Sequence, residues 1–212
     1  MNFIESLAQR TFRARDNYGV PMFVAICGWA DTGKSTLAAE LCRALRSHEV
    51  GADWISTDAF MKDRADRNKL GISGYNPLSI DAKRLALAIS EIASGQAYVY
   101  SPYDNRTGTR APTARTLAAQ SVIVFEGIHA FHAAIPKRRC LQIFIHSDEA
   151  TLKTMRARAN VGKRGMDEVE ARKRIDSELE DFRNFVLPGR VSADIRVAVS
   201  AGFDYAIEDD SL

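Results

Sequence analysis

The stretch Gly28-Trp29-Ala30-Asp31-Thr32-Gly33-Lys34-Ser35-Thr36 constrains this chain more than any other. It fills every fixed position of G-x-x-x-x-G-K-[ST], the phosphate-cradling P-loop. Gly28 and Gly33 let the backbone bend so that successive N–H groups face phosphate oxygens. The helix that follows adds the positive end of its dipole. In this motif the lysine, here Lys34, reaches the β- and γ-phosphates, and the first hydroxyl, Ser35, ligates Mg²⁺. Asp31, Thr32 and Thr36 complete the candidate phosphate-binding set. The context suits the motif. Residues 22–27 are a continuous apolar run fit for a strand buried on both faces. Downstream, Leu37, Leu41 and Leu45, with Ala38 and Ala44, form an apolar face at helical period. A turn that merely joined strand to helix would have no use for a lysine beside two hydroxyls.

The pattern repeats along the chain. Residues 2–15 carry Phe3, Ile4, Leu7, Ala8 and Phe12 on one side, an amphipathic helix ended near Asn17 and Gly19. Further strands are expected at 53–57, ending at Asp58, at 121–127, ending in Glu126 and Gly127, at 141–145 and at 193–199. Residues 60–78 are polar and broken by Gly71, Gly74 and Pro77, a binding loop or flap. Ser79 or Asp81 can cap a helix whose face is Leu85, Ala88, Ile89 and Ile92. A β-hairpin is expected at about 97–112. After Asp148 a helix carries Leu152 and Met155 inward; the glycine-containing stretch from Asn160 to Met166 is expected to break it before a second helix through Val186. The acidic end, Glu208 to Asp210, reads as a frayed tail. Strands alternating with helices imply an α/β domain, one unit over 1–212, with a mostly parallel sheet covered on both faces.

Composition sets outer bounds. Of 212 residues, 46% are hydrophobic and 26% charged, with a net charge of +2. That balance argues against a nucleic-acid tract or a membrane surface. No apolar run approaches the ~20 residues of a bilayer span. The amino terminus, with Glu5 and no long apolar stretch, does not read as a secretory signal, so the cytoplasm is the expected compartment. Cys27, Cys42 and Cys140 are scattered and read as reduced core residues. A homo-oligomer is left open.

In parallel sheets ligands bind beyond the carboxyl ends of the strands. Three strands here end in groups that would converge there: the P-loop, Asp58 and Glu126. Mg²⁺ on a nucleotide takes only one or two carboxylates, which suits Glu126. Asp58 is either a second metal partner or the base that accepts a substrate hydroxyl's proton. Arg158 and Arg164, flanking the glycine-containing break at about 156–168, suit a lid closing over the γ-phosphate. Arg156 and Lys163 read as a solvated basic face. His129 and His132 read as surface or capping histidines.

The P-loop, Thr57-Asp58-Ala59-Phe60, Pro102-Tyr103-Asp104 with Arg110, Phe125-Glu126-Gly127-Ile128, and Phe185-Val186-Leu187-Pro188 with Ala193-Asp194-Ile195 occur in that order. As an ordered set they resemble the uridine kinase branch of the uridine kinase and phosphoribulokinase family of P-loop kinases. The resemblance spans residues 22 to about 199. It implies ATP and Mg²⁺ in a five-stranded parallel core with helices on both faces, a hairpin and an arginine lid. It makes Asp58 the catalytic aspartate and Glu126 the acid near the metal. Lys34, Arg158 and Arg164 would stabilise the transferred phosphoryl, and Tyr103 and Arg110 would touch a small-molecule acceptor. Two positions depart from the pattern: Met61 replaces a usual tyrosine, and Gly108 a usual histidine, both of which help hold the nucleoside. Uridine or cytidine is the leading acceptor; another riboside, pantothenate, a sugar phosphate or glycerate is the alternative. A nucleotide-switch module is the rival class, against which stands the lack of an N-K-x-D-like guanine-reading motif.

Overall fold

A computed structural model describes residues 2–208, the side chain of Lys163 excepted, so the basic face expected there lies outside the described residues. In chain order its first half comprises α1 (Phe3–Tyr18), β1 (Met22–Gly28), α2 (Lys34–Ser47), β2 (Ala52–Ser56), α3 (Arg64–Lys69) and α4 (Ala82–Ala93). Four short strands follow, β3 (Tyr98–Tyr100), β4 (Tyr103–Asp104), β5 (Thr109–Arg110) and β6 (Arg115–Leu117). The remainder is β7 (Val122–Glu126), β8 (Cys140–His146), α5 (Glu149–Arg164), α6 (Glu168–Phe185), β9 (Ile195–Val199) and β10 (Tyr205–Glu208).

The central sheet has the order β10-β9-β8-β1-β7-β2. The five strands from β9 to β2 run parallel, as expected; β10 adds a sixth, antiparallel to β9. Glu208 is therefore paired backbone and not part of a frayed tail, while Asp209 and Asp210 lie outside the described residues. The period-2 alternation of β1 divides the core. Met22, Val24 and Ile26 pack with Leu7 of α1 and with Leu37, Leu41 and Leu45 of α2. Phe23, Ala25 and Cys27 face the other way, toward Leu85 and Ile92 of α4 and Leu179 and Phe182 of α6. All three cysteines are buried thiols. No helix among the described residues is long and apolar enough to cross a membrane.

Two insertions depart from the plain alternation. The hairpin reaches beyond 112: β3 pairs with β6 and β4 with β5, so the ribbon closes at Leu117. The helical lid differs more. The expected break from Asn160 to Met166 is confined to its end, because α5 continues through Arg164. A single interior glycine costs a helix only about 1 kcal/mol, and Gly162 is carried within it. It is Gly165, at φ 65°, that stops the helix; Asp167 then caps α6.

Candidate active site

Parallel register puts the strand tips side by side. β7 lies between β1 and β2, and Glu126 is level with Ile26 on one neighbour and Ser56 on the other. One residue beyond Ser56 a 3-10 turn (Thr57–Phe60) begins, with the Ser56 hydroxyl capping the Asp58 N–H at 3.3 Å. Beyond Ile26 the P-loop begins. The three groups expected to converge are thus adjacent tips of one sheet.

The loop has the backbone of a phosphate cradle. Gly28, Asp31 and Gly33 have φ of 146°, 60° and 81°, and α2 starts at Lys34. Neither glycine has room for a side chain. A Cβ at Gly28 would lie 2.4 Å from the Ile145 carbonyl oxygen, and one at Gly33 would lie 2.0 Å from the Tyr205 hydroxyl. The same hydroxyl donates to the Thr32 carbonyl at 3.1 Å, and the Tyr205 ring stacks on Phe3 with centroids 5.4 Å apart. In a trans peptide, C=O and N–H point oppositely, so the bond that holds the Thr32 carbonyl toward Tyr205 turns the Gly33 N–H away from it. The Thr32 hydroxyl closes the loop on the Trp29 carbonyl at 2.8 Å. Trp29 is anchored by stacking on Phe182, centroids 5.4 Å apart.

The charged groups are arranged about this cradle. Lys34 is buried and donates to the Trp29 carbonyl. Burial pulls its pKa down, against the opposing pull of Glu126, Asp31 and Asp58. Ser35 Oγ donates to Glu126 Oε1 at 3.0 Å, and Glu126 is buried. Burial, then the Asp58 charge, pushes the Glu126 carboxyl above its usual range. Burial also raises Asp58, although Lys34, a hydrogen bond with Asn105, and Arg67 act in the other direction. These oxygens fit Mg²⁺: one hydroxyl and one or two carboxylates beside an amide-lined cradle, the ion's other positions belonging to phosphate and water. Among the described residues no three acidic, histidine or cysteine groups gather into a cage able to hold a metal by themselves.

The side expected to meet an acceptor is made by the hairpin docking on residues 60–80. Arg64 donates to the Asn105 and Arg106 carbonyls, and its N–H to the Gly108 carbonyl at 2.7 Å. Tyr103 accepts from Arg67 Nη2 at 2.7 Å, while Arg67 Nε reaches the Lys62 carbonyl at 3.2 Å. Arg110 is exposed, with Nη1 3.5 Å from the Met61 carbonyl. The two departures from the uridine kinase pattern both lie at packed positions. Gly108 has φ 77°, and a Cβ there would meet Arg64 Cβ at 2.6 Å, so no histidine fits. The Met61 side chain is in the core and its backbone bridges to Ile80.

The two arginines expected in a lid divide by helix face. Arg164 reaches the P-loop, with Nη1 3.1 Å from Asp31 Oδ2. Arg158, two residues from Arg156 and so on another face of α5, instead donates to the Ala201 carbonyl at 3.1 Å, in the turn between β9 and β10. Arg156 is not a solvated group: only 5% exposed, it donates to Asp31 and forks onto Glu178 at 2.6 and 2.7 Å. Spacing held the signal, since Arg156, Asn160 and Arg164 recur every fourth residue on one helix face. Nor is His129 on the surface; it is buried, with Nε2 2.7 Å from the Gly74 carbonyl and 3.0 Å from Ser79 Oγ. His132 Nδ1 accepts the Ala134 N–H at 3.1 Å, a local cap.

This arrangement can be compared with known proteins. The profile of the Phosphoribulokinase / Uridine kinase family matches residues 23–205. The chain belongs to that family. It is similar, at 27% identity over 190 residues, to a chloroplastic uridine/cytidine kinase of Arabidopsis thaliana, a match covering 86% of this chain and 38% of that relative. The chain therefore spans well under half the length of that relative. It is also 24% identical over 175 residues to a uridine kinase of Chloroflexus aggregans, covering 79% of this chain and 78% of the other. A D-glycerate 3-kinase from Cryptococcus neoformans shares the fold, with a TM-score of 0.71 at 16% identity over 97% and 98% of the two chains.

Proposed function

We propose that the chain is an ATP- and Mg²⁺-dependent kinase that moves the γ-phosphoryl group to a hydroxyl of a small molecule. The observation that carries this reading is the adjacency of the P-loop, Lys34, Asp58 and Glu126 at the tips of β1, β2 and β7. Phosphoryl transfer demands mostly positioning and charge neutralisation. Lys34 and the loop amides hold the β- and γ-phosphates, and Arg164 is at hand on the lid. Ser35 and Glu126, already hydrogen-bonded to each other, would hold the ion, with Asp58 as a further carboxylate. When bound, Mg²⁺ neutralises charge on the β- and γ-oxygens. Asp58 accepts the acceptor hydroxyl's proton; burial, by raising its pKa, makes it a stronger base than a solvated aspartate.

The acceptor is read as the 5′-hydroxyl of uridine or cytidine, the substrates in the relatives' names. The packing at Gly108 and Met61 favours a second reading, another acceptor of the family's range such as a different riboside, pantothenate, a sugar phosphate or glycerate. A purely regulatory nucleotide-binding module would leave Asp58, the hairpin and Arg110 without a task. A panel of these acceptors with ATP and Mg²⁺, read by mass spectrometry, separates the cases. Phosphorylated uridine or cytidine supports the first reading and another phosphorylated acceptor the second. Tight nucleotide binding with no phosphorylated product from any acceptor overturns the kinase.

A further inference from the structure

Within residues 28–36 three backbones have positive φ; two are glycines and the third is Asp31. Aspartate tolerates that region better than most side chains, yet glycine would adopt it freely. A carboxylate there also sets a negative charge in a loop shaped for a triphosphate. Its side chain is occupied: it accepts from Nη1 of Arg156 and from Nη1 of Arg164 at 3.1 Å, both from α5. The two arginines are held unequally. Arg156 is 5% exposed and is gripped on its other edge by Glu178, which itself takes Arg174 Nε at 2.8 Å. Arg164 is the last residue of α5, beside the left-handed Gly165, with its side chain 29% exposed and, among the described residues, the Asn160 amide oxygen at 3.2 Å as its further partner.

We propose that Asp31 is a positioning residue that stands in for the γ-phosphate: it keeps Arg164 at the loop while no triphosphate is bound and yields it to the γ-phosphate on ATP binding, while Arg156 stays clamped. A terminal phosphate carries more charge than a carboxylate and three acceptor oxygens, so the exchange runs downhill for ATP. ADP brings no γ-phosphate, so the Asp31–Arg164 pair stays closed. The lid thereby answers to the triphosphate and not to the product diphosphate. The inference rests on residues 28–36 being a triphosphate cradle.

Calorimetric titration of ATP and ADP, each with Mg²⁺, into wild type, Asp31→Asn, Arg164→Ala and the double variant tests it. Asp31→Asn should tighten ATP about tenfold and ADP less than about threefold, the scale of one charge-assisted hydrogen bond. Arg164→Ala should weaken ATP about tenfold and leave ADP unchanged, and in the double variant the preferential gain for ATP should vanish. A wild type that takes up neither nucleotide refutes the cradle itself, and the latch with it. A wild type that binds, with Asp31→Asn moving ATP and ADP equally or keeping its ATP gain without Arg164, overturns the latch alone. Should Asp31→Asn fail to fold, Arg164→Ala decides by itself: equal effects on the two nucleotides overturn the proposal.

Discussion

Acidification should loosen the segment at residues 74–79, through one imidazole. His129 follows β7 and holds residues 74–79 by its contacts with the Gly74 carbonyl and the Ser79 hydroxyl. Burial, only partly offset by the bond to Gly74, holds its pKa down to about 4. In an unfolded chain the same group titrates near ~6.5. The unfolded state therefore binds the proton first, and the stability that His129 contributes is complete above about pH 6.5 and is lost as pH falls toward about 4. Between those values the cost is roughly 2 kcal/mol at about pH 5 and roughly 3 kcal/mol once pH is below about 4. His129→Gln retains a donor for the Gly74 carbonyl but cannot titrate. Denaturant unfolding of both proteins at about pH 7 and about pH 5 isolates the imidazole. Asp58 and Glu126, whose raised pKa values favour the folded state in acid, are common to the two proteins and cancel. Wild type should lose about 2 kcal/mol more than the variant over that interval; parallel losses would mean that His129 does not carry the acid sensitivity.

Other perturbations probe the cradle. Tyr205→Phe removes the hydrogen bond that holds the Thr32 carbonyl, and should weaken ATP by roughly 2- to 10-fold, the net worth of one hydrogen bond, with turnover at saturating ATP nearly unchanged; equal affinities by calorimetry would show that Tyr205 does not shape the loop. Lys34→Ala should lower ATP affinity and turnover together, since the ammonium serves bound and reacting phosphates alike; loss of turnover alone would assign Lys34 to the transition state only.

Much of this was legible in the residues. The apolar runs of β1, β7 and β8 are buried at every position and read as strands without help from context. Their tips carry the P-loop and Glu126 because parallel strands with short connections leave few other places for them. What escaped depends on tertiary pairing. β10 is four residues long and polar at both ends; it is a strand because β9 offers an edge and Tyr205 has a loop to pin. The role of Arg156 was hidden because its partners, Asp31 and Glu178, lie 125 and 22 residues away. Gly162 suggested a broken helix, whereas only Gly165 takes the left-handed turn that ends one. Nothing local in Gly-Ile-His marks His129 as buried; the glycine and serine it meets belong to a separate loop.

In the proposed kinase the loop binds the nucleotide while Asp58 serves the acceptor. With the acceptor found by the panel, Asp58→Asn tests this most directly, by ATP affinity and turnover measured on the same preparation. ATP affinity should stay within a few-fold of wild type and turnover should fall by roughly 10²–10⁴, the usual span for a lost general base. Turnover close to wild type, or a matching collapse of Mg²⁺-dependent ATP binding, would contradict it.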